Sequence, residues 1–253
     1  MSNLTFEVAD HVALLTINRP EARNAATLAL SEAMVEAIDR IDADPGIRAI
    51  VLTGAGGHFC AGMDLKGFLR GELPKIPGRG FAGMTEAPPK TPIIAAVEGY
   101  ALGGGFELAL ACDMIVAADT ARFGLPEVKR GLVARAGGLL RLPRQMPQRI
   151  AMELLMTGRM LPPDEALRLG LINRVVPEGG ALEAARALAA EIAANGPLAV
   201  AAVKEVVMRQ QDWPAAEGFT RQAEFTDPIF ASDDAKEGAL AFAEKRAPHW
   251  TGR

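Results

Sequence analysis

Apolar positions along this chain change their spacing several times, and each change marks an element. Val12-Ala13-Leu14-Leu15-Thr16-Ile17-Asn18 is a compact apolar run closed by Pro20, which predicts a strand and then a turn. From Thr27 to Asp42, Leu30, Met34, Ala37, Ile38 and Ile41 recur every three or four positions. That spacing predicts an amphipathic helix, stopped by Pro45-Gly46. Ile47–Thr53 reads as a buried strand and Gly54–Gly62 as a glycine-rich turn. Leu73–Gly83 holds Pro74, Pro77 and three glycines, which predicts a mobile loop. Ile93–Val97 and Met114–Ala118 are further short strands, with a helix over Gly103–Cys112 between them. Strands alternating with helices predict an α/β layer arrangement.

Beyond about residue 140 the pattern turns helical. Helices are predicted over Gln148–Thr157, Pro163–Gly170, Ala181–Asn195, Leu198–Gln210, Pro214–Phe225 and Asp233–Arg246. Ile172–Val176 is the one late strand. The expected organisation is an α/β core over residues 1–195 and a helical C-terminal part over residues 196–253.

Composition then narrows the chemistry. A chain of 253 residues buries roughly 70–75% of its unfolded surface, so no disulfide or metal staple is required. The formal net charge of −4 provides no electrostatic footprint for nucleic acid or for an anionic membrane. The longest stretch without Asp, Glu, Lys or Arg is Ala49–Met63, 15 residues with a histidine inside, too short for a bilayer span. No basic segment followed by an apolar core opens the chain, so no signal peptide is expected. Cys60 and Cys112 stand alone without CxxC spacing, which suits a reducing cytoplasm. His11, His58 and His249 are too scattered for a zinc pattern, and no metal is expected. Glycine is the exception to an ordinary composition: 17 of the 26 fall between Gly54 and Gly138.

Nucleotide loops are the first reading of such glycines, and they fail. A Walker A loop counted from Gly57 reaches Gly62-Met63-Asp64, with no lysine. Dinucleotide fingerprints counted from Gly54 and Gly103 meet Phe59 and Leu108 where glycine is required. No GxSxG nucleophile elbow is present. What remains is Gly103-Gly104-Gly105 opening a helix that carries Glu107 in its first turn. Glycines there let a ligand approach bare backbone, and first-turn N–H groups favour negative charge, the physical recipe for an oxyanion hole.

Phe59-Cys60-Ala61-Gly62-Met63-Asp64, Gly103-Gly104-Gly105-Phe106-Glu107 and Pro126-Glu127 together resemble the crotonase (enoyl-CoA hydratase/isomerase) superfamily. The similarity runs from Asn18-Arg19-Pro20 to Phe242-Ala243-Glu244-Lys245-Arg246. Phe81–Glu86, Met156–Arg159, Gly170–Val176 and Glu237–Arg246 are similar to the carnitinyl-CoA dehydratase subgroup. The resemblance implies a ClpP-like spiral of ββα units, with a C-terminal helical domain that packs subunits into homotrimers or homohexamers. It also implies an acyl-CoA thioester substrate and no separate cofactor, coenzyme A being part of the substrate.

Carried over residue by residue, the resemblance makes the N–H groups of Met63 and Gly104 the donors to the thioester oxygen. Glu107 and Glu127, twenty residues apart, become the catalytic pair, Glu107 as base and Glu127 as proton donor to Cα. Ala61, Asp64, Leu65 and Lys66 fall in the stretch that lies against coenzyme A. Lys66, Arg23 and Lys245 are candidates for its phosphates, the last from a neighbouring subunit. Arg135 departs from the pattern: many family hydratases carry a small or acidic residue there, near the acyl end. An arginine can pair with an anionic acyl group or with a glutamate, and would disfavour a cationic betaine.

Plainer readings stand beside these. His58 reads as a turn-surface residue, Cys60 and Cys112 as small core residues, Asp64 as a helix N-cap, and Lys245-Arg246 as a solvated helix end. Enoyl-CoA hydration is the leading function. The alternatives are a carnitinyl-CoA dehydratase activity, an isomerase, which needs one carboxylate, and a non-catalytic acyl-CoA binder, which would tolerate losing either. RNA binding is set aside, because Leu28–Asp42 carries Glu32, Glu36, Asp39 and Asp42 against Arg40.

Overall fold

A computed structural model describes residues 2–253. β1 (Leu4–Ala9) and β2 (Val12–Ile17) form an antiparallel hairpin with Leu4 opposite Ile17. Asp10 and His11 both take positive φ in its two-residue turn, the backbone that matches the strand twist. α1 (Leu28–Ala43) starts where the Thr27 side chain accepts a hydrogen bond from the Leu30 N–H, and it buries all five predicted apolar positions. β3 (Ala49–Gly54), α2 (Leu65–Leu69), β4 (Lys75–Ile76) and β5 (Gly80–Phe81) follow. Next come β6 (Ile93–Val97), β7 (Tyr100–Leu102), α3 (Gly104–Leu110), β8 (Met114–Ala118), β9 (Arg122–Gly124) and a 3-10 turn at Pro126–Arg130. α4 (Gly138–Gln145), α5 (Gln148–Thr157), α6 (Pro163–Arg168), β10 (Arg174–Val176) and α7 (Ala181–Ala193) complete the layered part. α8 (Pro197–Arg209), α9 (Gly218–Phe230) and α10 (Asp233–Glu244) end the chain.

The main sheet has the order β1-β2-β3-β6-β8-β10, parallel everywhere except between β1 and β2. Both of its faces are covered, which is why its strands read as unbroken apolar runs. Leu15, Ile17, Ile50, Leu52, Ile93 and Ala95 share one core with α1 and α3. The alternate residues Leu14, Val51, Ile94, Ala96 and Val116 pack on Ala181, Ala185 and Ala189 of α7. A second, smaller layer forms from turns leaving the sheet. Cys60 bridges Ala101, and β7 pairs in parallel with β9. β6 and β8 each hand over to a short strand and then to a helical turn, and β3 reaches α2 through the Cys60 bridge.

Several expectations need correction. The region Leu73–Gly83, expected as a mobile loop, contains the β4–β5 pair, and its Phe81 is packed inward. β1 was not expected, because half of its residues are exposed and only Leu4 is buried, so it carries no apolar run. α4 forms around Pro143, and α9 runs five residues past the expected end at Phe225, through Pro228. In α9 the proline lies in the last turn, where losing one N–H interrupts little helix. α8 and α9 bury no side chain completely. α8 is tied to the sheet by Lys204, whose Nζ donates to Asp113 Oδ2 at 2.6 Å and to the Thr91 carbonyl at 3.0 Å. Among the described residues no single helix is long and apolar enough to cross a membrane.

Candidate active site

The site begins with two stretches of backbone pressed together. The Cys60 N–H donates to the Tyr100 carbonyl at 2.9 Å, and the Leu102 N–H returns a bond to the Cys60 carbonyl at 3.0 Å. Gly62, at φ +97°, allows one close approach: a Cβ there would lie 2.8 Å from the Leu102 carbonyl and 3.4 Å from the Gly104 nitrogen. Gly105 permits the same contact from the other side, since its Cβ would overlap the Cys60 carbonyl. Met63 is fixed by its neighbours, with the Ala26 N–H donating to Gly62 at 2.7 Å and the Asp64 N–H donating to Ala26 at 3.0 Å. Neither the Met63 N–H nor the Gly104 N–H meets a protein acceptor among the described residues. Gly104 is the first residue of α3, so its N–H is one that the helix itself leaves unpaired.

Two carboxylates complete the constellation. Glu107, on α3, is only 3% exposed, and its Oε1 accepts from the N–H groups of Ala136 at 2.7 Å and Gly138 at 2.8 Å. Burial pushes its carboxyl up to about 7; the Glu127 charge adds to this, while the Gly138 and Ala136 bonds and the Arg141 charge oppose it. Glu127 sits in the 3-10 turn, and its Oε2 is buried without a hydrogen-bond partner among the described residues. Burial raises its carboxyl too, with its own N–H and the Arg130 charge pulling the other way. Gly103 leaves room for it, because a Cβ at Gly103 would stand 3.2 Å from Glu127 Oε1.

Both carboxylates line one cavity of about 480 Å³, together with Ala61, Met63, Leu65, Gly104 and Arg135 from the sequence-based candidates. The others lie outside it. Asp64 accepts from the N–H groups of Lys66 and Gly67 at the start of α2 and pairs with Arg19 at 3.1 Å, so its side chain caps and braces. Arg23 carries the Ala61 N–H on its carbonyl and lays its guanidinium over Tyr100, 5.4 Å from the ring centroid. Lys66 is exposed on α2, and Lys245 is exposed at the end of α10. His58 is half-buried rather than a surface residue. It stacks on Tyr100 with centroids 4.8 Å apart, in space that Gly99 leaves open. Cys60 and Cys112 are buried and unpaired, and burial pushes both thiols up, Cys60 to about 11.

Other cavity-lining residues escaped the sequence reading. Phe81 lies across Gly104, and Lys75 and Glu86 form an ion pair of 2.7 Å. Arg130 also lines the cavity. The motif Phe81–Glu86 was visible in the sequence; that it folds onto the glycine triplet was not, since no local period carries a contact across 23 residues. A pair of unpartnered N–H groups lining one cavity with two desolvated carboxylates suits the chemistry of thioester enolates. A family model of enoyl-CoA hydratase/isomerase matches residues 7–253.

The chain belongs to the enoyl-CoA hydratase/isomerase family.

Its similarity to other members of that family extends over nearly the full length. It is 44% identical over 254 residues to enoyl-CoA hydratase EchA19 of Mycobacterium tuberculosis (strain ATCC 25618 / H37Rv), covering 96% of this chain and 94% of that protein. It is 46% identical over 247 residues to the carnitinyl-CoA dehydratase of Proteus mirabilis (strain HI4320), covering 94% of each. Among solved structures, enoyl-CoA hydratase EchA1 from Mycobacterium marinum superposes with a TM-score of 0.98 at 55% identity over the whole of both chains. The architecture is thus the crotonase fold, with the stacked turns of the enoyl-CoA hydratase/isomerase family building the cavity.

Proposed function

We propose that this family member adds water reversibly across the 2,3 double bond of a 2-enoyl-CoA thioester, as a hydro-lyase. The observation that carries the reading is the pair Glu107 and Glu127 lining one cavity with the unpartnered N–H groups of Met63 and Gly104. Ionised Glu107 takes a proton from water, and the oxygen attacks Cβ. The displaced electron pair moves through Cα to the thioester oxygen, where the two N–H groups receive the charge. Glu127, whose burial raises its proton affinity, acts in its protonated form: it returns a proton to Cα, and the carbonyl re-forms. An isomerase would use one carboxylate; here both are desolvated in one space.

Coenzyme A would lie along Met63–Lys66, with Leu65 and Phe68 of α2 already in the cavity wall and Lys66 beside them for a phosphate. Arg23 and Lys245 are weaker phosphate candidates within one chain, Lys245 acting from a neighbouring subunit. Exposed Phe219, Phe230 and Phe242 on the C-terminal helices support burial against other copies, as a trimer or a pair of trimers. Residues 196–253 would then be the oligomerisation domain. Buried free thiols suit a cytoplasmic enzyme. Relatives of both names leave a carnitinyl-type substrate as the second reading. It is supported by the Glu86 carboxylate at the cavity wall, but opposed by its pairing with Lys75 and by nearby Arg135.

The deciding experiment follows loss of the conjugated thioester absorbance with crotonyl-CoA, longer 2-enoyl-CoAs and crotonobetainyl-CoA. Hydration of unbranched enoyl-CoAs is expected, and E107Q and E127Q should each cut kcat by about 10²–10⁴. Thioester binding without turnover at any chain length would overturn the reading.

A further inference from the structure

Arg141 lies behind the site, on α4, and takes no part in the scheme above. Its Nη2 donates to the Thr85 carbonyl at 2.7 Å. Its Nη1 fills the space beside Gly137 so closely that a Cβ on Gly137 would overlap it. Gly137 stands between Ala136 and Gly138, the two residues whose N–H groups hold Glu107 Oε1. Thr85 is buried, and its Oγ1 accepts from the Phe81 N–H at 2.9 Å. One guanidinium thus joins the loop that cradles Glu107 to the segment that lays Phe81 over Gly104. Gly137, at φ +112°, is the residue that allows so close a seat.

We propose that Arg141 is a positioning residue for Glu107, clamping the Ala136–Gly138 cradle to Thr85 and supplying the positive charge that acts on the Glu107 carboxylate. A fixed cation behind a carboxylate favours its ionised form and so offsets part of the burial that pushes the Glu107 carboxyl up. The groups acting on Glu107 agree with this arrangement. Burial, and Glu127 from the 3-10 turn, raise its proton affinity; the Gly138 and Ala136 N–H bonds lower it, and the Arg141 charge from α4 adds to them. Lys75, Glu86, Arg130 and Arg135 also border the cavity, whereas Arg141 holds its place from behind the cradle. The Glu107 charge acts on Arg141 in return, against a burial that disfavours the guanidinium charge.

The catalytic part of this assignment rests on the hydration reading, so the primary test is one that needs no turnover. The Glu107 carboxyl is titrated in the intact protein by infrared difference spectroscopy, with E107Q identifying its band. R141Q retains a donor for Thr85 but removes the charge, and the ionisation should move to higher pH; R141K retains the charge and should stay near the wild-type midpoint. With 2-enoyl-CoA, kcat of R141Q should fall about 10²-fold, its acidic limb moving with the titration and KM little changed. An unmoved midpoint in R141Q, or equal displacement in R141K and R141Q, overturns the proposal. So does a loss confined to KM. If the wild-type protein hydrates no enoyl-CoA, the hydration reading fails, while the titration still decides the role of Arg141.

Discussion

Phe81 lies across Gly104 so closely that a Cβ on Gly104 would stand 2.5 Å from the Phe81 Cζ. The ring roofs the first turn of α3, beside the N–H that meets no protein acceptor. G104A must therefore push the ring away or tilt the helix start, and either displaces an oxyanion donor. We expect kcat with 2-enoyl-CoA to fall about 10²–10³-fold with the chain still folded. Steady-state kinetics beside circular dichroism checks this, and full activity in G104A would remove the oxyanion role from that N–H.

Glu107 ties activity and stability to pH in opposite senses. Its carboxyl, ordinarily at 4.5, is pushed up to about 7 by burial, so the base loses its charge as pH falls through about 7. The hydration rate should decline below that point by about tenfold per unit. Folding, by contrast, favours the protonated form. That contribution is complete below the unfolded value near 4.5 and is lost as pH rises through about 7. E107Q does not titrate, so between about pH 4 and about pH 8 it should gain on the order of 3 kcal/mol relative to wild type. Urea unfolding across that range measures the difference, and parallel curves for the two proteins would contradict the shift.

Asp64 should matter through the helix it begins. Its Oδ1 accepts from the N–H groups of Lys66 and Gly67, and its Oδ2 pairs with Arg19, both side chains being 16% exposed. D64A should cost about 1–2 kcal/mol of stability. It should also raise KM for the CoA ester, because Leu65 and Phe68 on that helix line the cavity, while kcat changes little. Thermal melting and a KM measurement separate the two effects.

Lys204 and Asp113 form a pair with side-chain exposures of 11% and 17%, which joins α8 to the end of the sheet. K204M leaves the Asp113 carboxylate enclosed without its cation, and we expect a loss of about 3–5 kcal/mol in chemical denaturation. A loss below about 1 kcal/mol would mean that the pair behaves as a surface ion pair.

Legibility in the sequence followed the range of the interactions. β6, β8 and α5 were readable to the residue, because an apolar run or a helical period is local information. β1 was hidden because its partner is what makes it a strand: the β2 hairpin supplies every hydrogen bond along one edge. The glycine triplet and the glutamates were readable as motifs, and the cavity does gather them. Asp64, Arg23, Lys66 and Lys245 could not be sorted the same way, since whether a charge faces the cavity depends on contacts such as Asp64 with Arg19 and Arg23 with Tyr100. Arg141 was passed over for a related reason. Its partner, the Thr85 carbonyl, lies 56 residues away, and a backbone acceptor leaves no trace in the side-chain alphabet.

The unpartnered donors at Met63 and Gly104 belong to the main chain, and this divides what mutation can reach. Changing the side chain at Met63 leaves its N–H in place, so the wall of the cavity can be rebuilt for a new acyl group without dismantling the charge-stabilising apparatus. At Gly104 the reverse holds, because the roof formed by Phe81 tolerates no side chain. Two positions lining one cavity thus differ in what substitution can do: one can take a new side chain and reshape the wall, the other is held to hydrogen for as long as the roof remains.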